Sequence, residues 1–153
     1  MQRVAFKPLR DPDEDIHARM VQVGLDMVGN QDYNKNTWTG GWAWHNEYKC
    51  NLFHHDVAAL AGAYVPLING GEYPPVTRQW ADRSFKIKNW IVVNQPQPGD
   101  AIIWDGHMGI VVGDKQTVSA TPGLGVRKND FGYRRKTDNP TFRRYVSHPR
   151  IEL

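Results

Sequence analysis

Apolar residues near the start of the chain recur at helical spacing: Ile16, Met20, Val23, Met27 and Val28. This spacing predicts a helix from about Asp13 to Gly29. Asp11 or Asp13 is its candidate cap, Pro12 lies near the first turn, and Gly29-Asn30 is the stop. From Asp32 to Tyr48 the periodicity is lost in an Asn-, Gly- and Trp-rich stretch that reads as a loop. A second stripe follows, formed by Phe53, Val57, Leu60, Ala61 and Tyr64. It predicts a helix from about Lys49 to Ala63, ended by Pro66, with Cys50 on the same stripe in the first turn. A Gly/Pro-rich segment then runs to Pro75, and a short helix is expected from Thr77 to Arg83. Beyond Trp90 the pattern changes to short apolar runs: Ala101–Trp104, Met108–Val112, Thr117–Ala120 and Phe142–Val146. Turn signals at Asp105-Gly106 and Gly113-Asp114-Lys115 separate the first three. Helices first and an antiparallel meander afterwards is an α+β order.

Length and composition narrow the class. The 153 residues suit one domain, 1–153, and 40% apolar with 23% charged residues is an ordinary globular balance. No apolar run approaches a membrane span, so the chain is not expected to be membrane-embedded. Met1 to Ile16 mixes charges of both signs and does not read as a secretory signal. The formal charge of +3 is weighted toward a basic C-terminal third: Arg127, Lys128, Arg134, Arg135, Lys136, Arg143, Arg144 and Arg150. With no nucleic-acid module around them, these residues read as a solvated face and nucleic acid is not an expected partner. A single cysteine excludes an intramolecular disulfide.

That cysteine is the first candidate for chemistry. At a helix N-terminus, unpaired backbone N–H groups and the helix dipole favour a thiolate, and the same N–H groups can receive an oxyanion. Of the six histidines, His107 has the best context for a base, because it follows a tight turn and opens a strand. His54 and His55 lie four and five residues past Cys50 along the helix and read as structural. Ser119, Thr121 and Asp130 are candidates for a third, orienting group. Trp38, Trp42 and Trp44 suit either sugar contact or a satellite cluster, and Trp80 and Asn51 join them as candidate substrate contacts. A zinc site is disfavoured, since no HExxH-type spacing occurs and His54 and His55 point different ways on a helix. Residue chemistry alone leaves Cys50 open between nucleophile and core residue.

The ordered set of motifs adds to this. Lys49-Cys50-Asn51-Leu52-Phe53 with Asp56-Val57 resembles the nucleophile helix of the NlpC and CHAP superfamily of cell-wall hydrolases. Gln97-Pro98-Gly99-Asp100-Ala101-Ile102 resembles their "PGD" strand, and Gly106-His107-Met108-Gly109-Ile110-Val111 their "GHVGIV" motif. Thr117-Val118-Ser119-Ala120 resembles the next strand, and Asn129-Asp130-Phe131-Gly132-Tyr133-Arg134 a tail of toxin-like members. The resemblance implies a papain-like core, with the cysteine helix packed on an antiparallel sheet of about five or six strands. It implies Cys50 as nucleophile, His107 as base, no cofactor, and peptidoglycan amide bonds as substrate. Ser119 stands where many members carry a second histidine, and Asp130 is the alternative third member. "KCNL" in place of the common "DCSG" lies nearer the CHAP-like and toxin-like members. Such an enzyme acts outside the cytoplasm, as an injected antibacterial effector, a phage lysin or a fragment of a longer secreted protein, and an effector implies a cognate immunity protein that plugs the Cys50 cleft. The rival readings are an inactive glycan- or partner-binding module using Trp38, Trp42, Trp44 and Trp80, and a cysteine hydrolase or acyltransferase with a protein or lipid substrate.

Overall fold

The computed structural model describes residues 12–34, 49–104, 106–132 and 139–148. Three helices precede six strands: α1 (Glu14–Asp26), α2 (Cys50–Ala61), α3 (Thr77–Ala81), β1 (Trp90–Val93), β2 (Ala101–Trp104), β3 (His107–Gly113), β4 (Gln116–Thr121), β5 (Gly125–Asp130) and β6 (Thr141–Tyr145). All strand pairs are antiparallel, in the order β1-β6-β2-β3-β4-β5, so the protein is α+β with a six-stranded sheet. Among the described residues, no helix is long and apolar enough to cross a membrane.

The helices follow their stripes with local departures. α1 buries Met20 fully and Ile16, Val23 and Met27 partly, while Val28 is exposed. Asp13 precedes α1 without a side-chain capping bond, because its Oδ2 accepts the Ser147 N–H instead. α2 stops at Gly62, left-handed at φ +90°, four residues before the proline expected to end it. Leu60 and Tyr64 lie on the exposed side of that ending, at 69% and 52% exposure, and do not join the stripe.

The sheet is covered on both faces. Ala101, Ile103, Met108, Ile110, Val118, Ala120 and Val126 pack under the helices with Met20, Phe53 and Val57. Ile102, Trp104 and Val111 form a second cluster with Phe131 and Phe142. Burial on both faces explains why Ala101–Trp104 is a continuous apolar run rather than an alternating one. Each fully buried side chain of this kind contributes about 1.5–3 kcal/mol. β5 was not anticipated. It is an edge strand whose Arg127, Lys128 and Asp130 are exposed, so polar residues obscure its period.

Two members of the basic C-terminal third depart from a solvated face. Arg143 is 2% exposed, and Arg144 pairs with the buried Asp100 at 2.9 Å. Arg134, Arg135, Lys136 and Arg150 lie outside the described residues.

Candidate active site

Cys50 is the first residue of α2, 3% exposed and packed into the main apolar cluster. Lys49, at the N-cap, makes no side-chain capping bond, and no acidic residue stands in the first turn of α2; a helix N-terminus of this kind favours an anion. Lys49 is buried, and its Nζ has no hydrogen-bond acceptor among the described residues. Burial holds its pKa below the ordinary lysine value. The amide of Asn51 donates to Pro75 O at 3.3 Å, a bond that ties α2 to the following loop.

His107 opens β3 and is 2% exposed. Its Nε2 lies 2.9 Å from the hydroxyl of fully buried Ser119 on β4. The imidazole also stacks on Trp104, with centroids 5.7 Å apart, and the Trp104 indole N–H donates to Phe131 O at 2.9 Å. Gly109 makes the serine contact possible. A Cβ there would stand 2.8 Å from Val118 O and 2.9 Å from Ser119 Cβ. The two candidate orienting groups stand in different surroundings. Ser119 lies within hydrogen-bond distance of the ring, whereas Asp130 sits opposite Gln116 on the edge strand and accepts the Gly132 N–H.

α2 packs across β3 and β4, the strands that carry His107 and Ser119. The described contacts bring together His107, Ser119 and Trp104 on one side, and Cys50 with the core beneath α1 and α2 on the other. Trp38, Trp42 and Trp44 lie outside the described residues. Trp80 is fully buried, its N–H bonded to Pro75 O and its ring edge-on to His54 and Trp90, so the structure assigns it to the core and leaves it no face for a sugar. His54 is also fully buried, and burial lowers its pKa to about 3. His55 points the other way and meets Asp56, whose second oxygen accepts the Tyr33 hydroxyl.

Sequence reasoning missed three supports. His17 Nε2 lies 2.9 Å from Tyr145 O, joining α1 to β6. Asp100 accepts the Arg144 Nε–H and Nη2–H at 2.9 Å each and the Gln97 N–H at 2.7 Å. The Pro98-Gly99-Asp100 triplet carried that signal: Gly99 turns at φ +96° with the His17 backbone 2.8 Å from where a Cβ would be. Trp104, read only as a strand residue, packs the imidazole. Compared with protein-family models and with curated proteins, the sequence matches none.

Proposed function

We propose that this protein is a papain-like cysteine hydrolase that cleaves amide bonds of bacterial peptidoglycan, with Cys50 as nucleophile and His107 as general base and acid. The observation that carries the reading is the buried His107–Ser119 pair, 2.9 Å apart. Because Cys50 packs in the cluster on the helix side of the sheet, the reading requires His107, the first residue of β3, to meet the thiol around the end of that strand. In this reading the Ser119 hydroxyl accepts the Nε2–H, which leaves the lone pair on Nδ1. Proton exchange with Cys50 therefore runs through Nδ1.

Nδ1 takes the thiol proton as Sγ attacks the amide carbonyl carbon, and the first-turn N–H groups of α2 receive the developing oxyanion. Collapse of this intermediate breaks the C–N bond. The imidazolium gives its proton to the leaving amine, and an acyl thioester remains on Cys50. Water, deprotonated by His107, then attacks the thioester and releases the acid and the thiol. The reaction requires no metal or redox cofactor. Ser119, a neutral acceptor, orients the ring but stabilises the imidazolium less than a carboxylate would.

The peptidoglycan assignment rests on the resemblance of the cysteine, "PGD" and "GHMGIV" segments to cell-wall hydrolases. Purified sacculi digested with wild type, Cys50→Ala and His107→Ala test it. New muropeptides are expected from the wild type alone, and their masses identify the bond. Intact sacculi with a wild type whose Cys50 still reacts with thiol probes would retain the nucleophile and overturn the substrate. An unreactive Cys50 would favour a binding module.

A further inference from the structure

The last strand position on the β6 side of the sheet borders a groove of about 490 Å³ whose charge is one-sided. Arg83, Lys86, Lys88 and Arg143 line it, and among the described residues no acidic side chain does. Arg83, Lys86 and Lys88 are exposed, and no carboxylate pairs with them among the described residues. Arg143 forms the floor in an unusual state. Its guanidinium donates to Trp80 O, Trp90 O, Asp82 O and Phe85 O, all of them backbone carbonyls. Carbonyl dipoles satisfy the N–H groups without neutralising the charge. The nearby Asp82 carboxylate accepts the N–H and hydroxyl of Ser84 and attracts the Arg143 guanidinium, offsetting part of its charge, but it does not line the groove. The walls are apolar: Ile91, 47% exposed on β1, and Val146 beyond β6.

We propose that this groove is a docking site for an extended segment of a partner protein in which acidic and apolar residues alternate. β1 is an end strand: Ile87 bridges its first residue, Trp90, and past that bridge no strand lies on its outer side among the described residues, so an incoming chain can lie along Ile91–Val93. Side chains of such a segment point alternately to opposite sides, which matches a cationic rim set against an apolar wall. A nucleic acid fits less well, because the groove's one tryptophan, Trp90, is 1% exposed and offers no stacking face. The site lies on β1 and the α3–β1 loop, away from β3 and β4, and it does not depend on the chemistry of Cys50.

The test is fluorescence anisotropy with the labelled peptide Glu-Val-Glu-Ile-Glu-Val-Glu, the same peptide with Lys for Glu, and a labelled single-stranded oligonucleotide. The acidic peptide is expected to bind wild type, to weaken as salt rises, and to lose at least tenfold in affinity to a Lys86→Glu/Lys88→Glu variant with an unchanged circular dichroism spectrum. Amide exchange at Ile91–Val93 is expected to slow in its presence. No binding, equal binding to the variant, equal binding of the Lys peptide, or preferential binding of the oligonucleotide through the same lysines would overturn the proposal.

Discussion

Between the rings of Trp80 and Trp90, each 4.9 Å from its own, the His54 imidazole has neither nitrogen hydrogen-bonded among the described residues. Its folded pKa of about 3 lies below the unfolded value of 6.5. Between those values the unfolded chain binds a proton that the folded chain refuses. The contribution is complete above the unfolded pKa and is lost as pH falls toward the folded one, at about 1.4 kcal/mol per pH unit. Urea unfolding at pH 7 and pH 5 is expected to show a drop of about 2 kcal/mol, and His54→Phe is expected to reduce that drop. At Ser119, replacement by Ala removes the hydroxyl that orients His107. Under the proposed mechanism the expected result is an acylation rate lower by about tenfold, corresponding to the net worth of one hydrogen bond, with folding retained. Pre-steady-state release of the amine product measures it.

At the scale of elements, strand contacts transmit position to the site. Gly109→Ala drives a methyl into Val118 O and Ser119 Cβ, which forces β3 and β4 apart where His107 meets Ser119. We expect destabilisation of about 1–3 kcal/mol by denaturant titration, and an activity loss larger than that of Ser119→Ala. Arg144→Ala leaves the fully buried Asp100 carboxylate without its ion pair. It is expected to cost about 3–5 kcal/mol, and Asp100→Asn in the same chain is expected to recover part of it. These elements also show what the sequence made legible. α2 and β2 to β4 were readable because period and turn signals agree there: the Cys50–Phe53–Val57 stripe, the unbroken Ala101–Trp104 run, and the turns on either side of β3. β5 was not, since an edge strand with solvated Arg127 and Lys128 has no apolar period. Cys50 and His107 stood out by position, and Ser119 by its place on the next strand. The roles of Trp104, Asp100 and Arg144 depend on register between strands distant in sequence, which local pattern does not encode.

For the whole molecule, strand order matters more than strand count. β6 comes after the other five strands in sequence yet sits between β1 and β2, bonded to both. It also carries Arg143 and Arg144, and Tyr145 O receives His17 from α1. Pairings of this sequence separation slow folding, because loop closure precedes the contacts that reward it. Stopped-flow refolding is expected to show chevron arms shifted mainly on the folding side by Tyr145→Ala if β6 docking belongs to the rate-limiting step. During synthesis the consequence is one of timing. A nascent chain that has emerged only through β5 presents β1 and β2 as two open edges with a gap between them. Thr141–Tyr145 must leave the ribosome before the gap can close, so a prematurely terminated chain has exposed edges, a mark by which quality-control proteases could recognise it.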